Sequence, residues 1–363
     1  MSDDIPGRVR GLVRASTLSQ REFANSIGLD DSKLSKSLSG ARRFSSLDLA
    51  RIAELCEVSV DWLVTGDEPP LAIAARTTGG SAGKAVGAAR RYVGIRADVS
   101  GLGYHQPWRP VAIQAGGGNW LEEGSRLAAA AVNRVVDTGR SVTEPDLAAL
   151  VEDVFGADVA IVDLGTGFDG VAVSSAEAKL IILAATHVPG RQRFTLAHEL
   201  GHLLSGDNHD VHLDNDIFDM RQAKDPSEIR ANAFASAFLM PDQELQVATG
   251  RGLDLAAFVE LACRLYVTPS SLAYRLLKLR LIDAGACDRY KVISGAKAAG
   301  MTGRSPEFAQ RVTQSGAARA PGLLVRDTYA AYESGAATLR PYANLLEVDV
   351  DELRRALELE RGA

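Results

Sequence analysis

Cysteine is scarce: Cys56, Cys263 and Cys287 are the three in a chain of 363 residues. An odd number of widely separated thiols builds neither a disulfide framework nor a cysteine-ligated zinc module, so they read as ordinary thiols. Long apolar runs are missing too. No stretch approaches the ~18 residues of a membrane span, and the N-terminal MSDDIPGRVRGL lacks a signal-peptide core, which points to a cytoplasmic protein with no membrane partner. A strong charge excess is also absent. The 40 Lys and Arg against 46 Asp and Glu leave a net charge of -6, which argues against a chain coated in nucleic acid but leaves room for a local basic surface.

What is present is an ordinary globular composition, 46% hydrophobic and 24% charged, over a length that suggests two or three domains at ~100–200 residues each. Residues 7–66 carry short helical patterns in succession. Ser19 and Glu22 form a capping box, a helix follows to about Ile27, and Gly28 breaks it. SKLSKSL then forms a second helix that Gly40 ends, which is a helix-turn-helix layout. Ala24, Ile27, Leu34, Leu38, Leu47, Leu49, Ile52 and Leu55 supply its apolar faces, with Trp62 capping the core.

Residues 67–118 are rich in Ala and Gly and read as a linker with some local structure. A helix follows over about 119–138, then another in TEPDLAALVEDVFG with Thr143 as cap and Pro145 in its first turn. DVAIVDL, GVAVSS and KLIILA read as strands of one small antiparallel sheet. Helices continue to about residue 285. In the C-terminal region, 286–363, LLVRDTYAAYESG and DVDELRRALELE read as helices and 300–321 as irregular. The fold class expected is mainly α with a small β-sheet, an α+β arrangement.

The chemistry concentrates in RFTLAHELGHLLSGD, residues 193–207. On a helix, residues four apart lie ~40° from each other around the axis, so His198 and His202 can reach one point. Glu199, one step round, can approach the same point. This H-E-x-x-H spacing is the zinc-hydrolase pattern, with the glutamate as general base and Zn²⁺ as the implied cofactor. A third ligand is needed. The metzincin glycine and third histidine positions are Ser205 and Asn208, which excludes that subclass. His209 and His212 remain open, and Glu228 is the stronger candidate. It stands near the start of a helix whose Ala231, Asn232 and Ala235 are small enough for close packing, although Asp225-Pro-Ser-Glu228 also reads as a capping box. His209, His212 and Tyr266 are candidates to stabilise an oxyanion.

FTLAHELGHLL followed by EIRANAFASAFLMP resembles the ImmA/IrrE family of bacterial metallopeptidases, and the similarity extends over about residues 120–282, LYVTPSSLAYRLLKLRLI included. The resemblance implies a zincin-like domain over 119–285, with His198, His202 and Glu228 binding zinc and Glu199 activating water. Many members carry a further histidine where this chain has Gly206.

In a helix-turn-helix the second helix enters the major groove. Here Asp31, Ser32, Lys33, Ser35 and Lys36 face outward, and Arg42 and Arg43 on the next loop can reach phosphates. Residues 1–66 balance nine basic against nine acidic groups, so non-specific affinity should be modest and salt-sensitive. LSQREFANSIGLDDSKLSKSLSGARR resembles the Cro/cI-type (XRE) domains. That resemblance implies that Gln20 contacts DNA, that Ser32, Lys33 and Lys36 lie in the groove, and that a homodimer forms. An acidic Asp31 at the start of the reading helix suits a cytosine amino group.

The expectation is a regulator with an operator-binding domain at 1–66 and a zinc peptidase that cleaves a specific partner protein, a repressor, in a stress or mobile-element response. The alternative is an antitoxin or autorepressor whose peptidase-like domain binds a cognate partner without cutting it.

Overall fold

The computed structural model describes residues 4–16, 18–56, 60–65, 81–111, 118–165, 168–206, 225–250 and 252–361. The chain divides into two compact units, 1–87 and 88–363. The first holds α1 (Ile5–Ala15), α2 (Gln20–Ser26), α3 (Asp31–Leu38), α4 (Ser46–Cys56) and α5 (Val60–Thr65). Ser19 caps α2 in the expected reciprocal box with Glu22, and Asp30 caps α3 by accepting from the Lys33 amide. Val9, Phe23, Ile27, Leu34, Ile52 and Leu63 make the core. Two expected core residues turn outward: Leu47 is 59% exposed and Leu55 38% exposed. The buried face of α4 is Leu49, Ile52 and Ala53, and Leu47 lies ~200° round the helix from Leu49. The role expected of Trp62 falls on a side chain outside the described residues.

Much of the segment read as an Ala/Gly linker is a 21-residue helix, α6 (Ser81–Gly101). Its apolar positions, Ala85, Val86, Ala89, Tyr92 and Val93, keep helical spacing, but small residues mask the pattern. Then come α7 (Trp120–Asp137) and α8 (Leu147–Phe155). The cap of α8 is Asp146, which accepts from the Ala149 amide, and not Thr143, which bonds to Ser141 instead.

Strands β1 (Asp158–Val162), β2 (Gly170–Ser174) and β3 (Lys179–Ala184) form a sheet in the order β1-β3-β2. The sheet is mixed, not antiparallel as expected: β2 pairs antiparallel to β3, and β1 pairs parallel to β3. Strand β3 is apolar and buried from Leu180 to Ala184, so it needs a neighbour on each side. The short turn to β2 takes one edge, and β1 is left the other, with parallel register Val159↔Ile181.

Helix α9 (Pro189–Ser205) packs on this sheet, and α10 (Pro226–Leu239) packs on both α9 and α7. There follow α11 (Asp242–Thr249), α12 (Leu255–Arg264), α13 (Pro269–Lys278), α14 (Ala284–Tyr290), α15 (Gly295–Met301), α16 (Ser305–Ser315), α17 (Gly322–Glu333), α18 (Arg340–Leu346) and α19 (Val350–Arg361). The stretch read as irregular, 300–321, contains α16, whose start signals, Pro306 in the first turn and Glu307 beside it, were present. Residues 286–363 are part of the second unit. Arg319 pairs with Ile161 of β1 through two backbone hydrogen bonds of 2.9 Å, and its guanidinium meets Glu152 of α8.

Candidate metal centre

The site is built on two helices. Pro189 occupies the first turn of α9, and Leu196, Ala197 and Leu200 press its apolar side into the core shared with Ile181 and Leu183. That orientation buries His198, Glu199 and His202, at 0, 0 and 3% exposure. The helix ends at Gly206 in a left-handed conformation, φ 66. In α10, Asp225 is the cap and Pro226 begins the first turn, which places Glu228 on the face turned to α9. A close approach positions α10 from its other side. A Cβ on Gly124 of α7 would fall 2.3 Å from the Arg230 carbonyl oxygen, so only glycine permits this contact.

The histidine Nε2 atoms lie 3.0 Å apart, and the Glu228 carboxylate sits 3.3 Å from His198 and 3.2 Å from His202. Three such atoms, all within 4.8 Å of one another and all from buried side chains, form a compact donor set. A zinc ion bonded at ~2.0–2.1 Å in a tetrahedron would separate its ligands by about 3.3 Å, close to these spacings. Two imidazoles and one carboxylate also suit zinc chemically. Burial alone would raise the Glu228 carboxyl, but hydrogen bonds from His198 and His202, with their charges, outweigh it and hold the group well below the usual carboxylate range. Glu228 therefore stands there as an anion, the form that can ligate. Of the two readings of Glu228, the side chain takes the one that faces the histidines, while Asp225 alone supplies the cap.

Glu199 lies beside the start of β2. A Cβ on Gly170 would meet its Oε1 at 3.3 Å and Thr195 Cγ2 at 2.6 Å. Gly170 thus gives the carboxylate its room, a role that sequence reasoning missed because a lone glycine after a loop reads only as a turn. His209 and His212 lie outside the described residues. The Tyr266 ring packs on the guanidiniums of Arg193 and Arg311, with centroid distances of 5.5 and 4.4 Å, and burial with a hydrogen bond to Glu307 raises its phenol.

In the first unit, Gln20, Ser32, Lys33, Ser35, Lys36 and Arg43 are all exposed. Gln20 donates to Asp31 at 2.8 Å, joining the starts of α2 and α3, and Lys33 pairs with Asp30 at 3.1 Å. Arg42 differs from expectation. It donates to Ser37 Oγ at 2.9 Å and to Asp48 at 2.8 Å, so it braces the loop before α4 and does not extend outward.

The helix pair converges two histidines and a glutamate, beside a second glutamate, into a group that could hold a metal ion. Residues 153–277 match the family described as the IrrE N-terminal-like domain, of the M78 peptidases. Over 136 residues the chain is 35% identical to the radiation response metalloprotease IrrE of Deinococcus radiodurans, an alignment that covers 36% of this chain and 40% of that protein. Both likenesses make this part of the chain similar to IrrE-type metallopeptidases, and the chain spans less than half the length of the curated relative it matches. Among the described residues, no helix is long and apolar enough to cross a membrane.

Proposed function

We propose that the chain is a transcriptional regulator that joins an operator-binding N-terminal unit to a zinc-dependent peptidase acting on a specific partner protein, a repressor, in a stress or mobile-element response. The observation that carries the peptidase reading is the convergence of His198, His202 and Glu228 on one point, with Glu199 buried next to it. When bound there, Zn²⁺ would act as a Lewis acid that polarises the scissile carbonyl. Glu199 would take a proton from the attacking water as its oxygen bonds to the carbonyl carbon, and deliver a proton to the amine nitrogen as the C–N bond breaks. The low-dielectric surroundings strengthen both transfers, since Glu199 is wholly buried. A DNA-binding role for the first unit is supported by the short α2–α3 pair and by exposed Lys33, Lys36 and Arg43 on and after α3. Such a unit would bind a two-fold operator as a homodimer.

Co-expression with the products of neighbouring genes tests this reading. A metal-dependent cleavage product should appear with the parent chain and vanish with Glu199→Gln, which keeps all three ligands. A neighbour that binds tightly but stays intact under inducing conditions, with zinc bound, would replace the peptidase by the antitoxin or autorepressor reading.

A further inference from the structure

Helix α9 has a second chemically marked face. At ~100° per residue, Pro189, Arg193 and Leu196 cluster on one side, roughly 140° round from the mean direction of His198, Glu199 and His202. These three residues line a cavity of about 430 Å³, opposite Arg311 of α16 and Arg319. Three guanidiniums therefore face one cavity, and their partners differ. Arg319 is committed to Glu152 through contacts of 2.5 and 3.0 Å. The acid in the wall, Asp146, spends Oδ1 on the first turn of α8. Among the described residues, neither Arg193 nor Arg311 has a carboxylate within ion-pairing distance.

Arg193 is only 6% exposed. It donates to the Val142 and Pro145 carbonyl oxygens, and its buried Nε has no hydrogen-bond partner among the described residues. Among the described residues Arg311 donates to the Tyr266 carbonyl oxygen, at 3.4 Å, stacks on the same ring as Arg193, and is drawn by the charge of Glu307 on its own helix. Burial, with the Arg311 charge, pushes the Arg193 guanidinium down to about 9, against weaker pulls from Tyr266, Asp146 and Glu144. Holding the buried Arg193 charge beside a second guanidinium without an ion pair is costly, and an anion between them offsets that cost. The volume lies within the ~300–1,000 Å³ typical of small-molecule sites. Leu147, Ile161, Leu183 and Leu196 give part of the remaining wall an apolar surface, beside the polar Gln192, Gln314 and Ser315.

We propose that this cavity is an effector site for a small amphipathic anion, a carboxylate or phosphate monoester on an apolar body, whose charged group sits between Arg193 and Arg311. The ligand would clamp α16 to α9. Because Arg193 stands five residues before His198 on that helix, occupancy would act on the rod that carries the metal centre. This gives the C-terminal region a role in ligand sensing.

The probes are phenyl phosphate and benzoate, with benzyl alcohol as the neutral match, titrated calorimetrically into the full chain at low salt. At least one anion should bind at a single site and raise Tm, while benzyl alcohol does neither. Arg311→Gln should weaken binding by about tenfold or more, since it removes a charge-assisted contact. Arg311→Lys, which keeps the charge, should retain most of the affinity and shows that the position tolerates change. The proposal fails if neither anion binds at ~10 mM, where a useful ligand would shift stability. It also fails if Arg311→Gln binds as tightly as the parent, or if benzyl alcohol binds equally well. Binding should be the same in Glu199→Gln, so loss of the peptidase reading would leave this result standing.

Discussion

Glu228 is open to two readings from its chain position, a ligand and a cap. Its carboxylate lies 3.2–3.3 Å from both histidines, and Asp225 leaves it free of the cap. Glu228→Gln keeps the shape but removes the anionic ligand, so zinc affinity should fall roughly a hundredfold or more, if each ligand carries a share of the ~10–16 kcal/mol seen at zinc sites. Equilibrium dialysis against a chelator measures this, with circular dichroism to confirm the helices. Affinity within about threefold of the parent would remove Glu228 from the site. At this scale the spacing of His198, Glu199 and His202 was legible because an α-helix has one period, and a four-residue step means one face. Arg42 was not legible: an arginine in a loop reads as exposed, and only the fold brings Asp48 to it.

At the scale of elements, the site depends on how closely helices approach. Helix α10 reaches α7 at Gly124, where a methyl group would overlap the Arg230 backbone. Gly124→Ala should therefore destabilise the second unit by about 2 kcal/mol or more, although alanine is the better helix former in isolation. Urea unfolding of the purified chain measures it, and a neutral or stabilising effect would show that the two helices adjust without cost. The ends of β3 matched the hydropathy pattern, and those of α2 and α3 their capping residues. The pairing of β1 was not readable, because alternation reports which residues are buried and not which strand lies alongside. Likewise α6 was hidden by its Ala and Gly content, and its helical state comes with the burial of Ala85, Ala89 and Val93.

In the second unit as a whole, an ion network ties distant parts of the chain together. Arg96 of α6, 0% exposed, donates to both oxygens of Asp158 on β1 at 2.9 Å and to Asp327 of α17 at 2.6 Å. Gln106 and the Leu324 amide complete the bonding of Asp158. Arg96→Met would strip Asp158 of its charged partner and leave Asp327 to Arg326 alone, and the expected loss is about 3–5 kcal/mol. A loss below about 1 kcal/mol in urea unfolding would mean that the C-terminal helices are held by other contacts. Two stretches of residues 286–363 read as helices but nothing in the sequence says where they pack, and Arg319 and Asp327 insert the region beside the sheet.

What the sequence by itself determined are the features set by local steric and hydrogen-bonding rules: the helix carrying His198, Glu199 and His202, the capped α2–α3 pair, and the three strands. Only the tertiary structure decided that Glu228 completes the donor set, that β1 runs parallel to β3, and that Arg193 meets Arg311 across a cavity. Each of those joins residues from about twenty to more than a hundred positions apart, and such contacts are chosen by the shape and charge of packed surfaces, which no local period encodes.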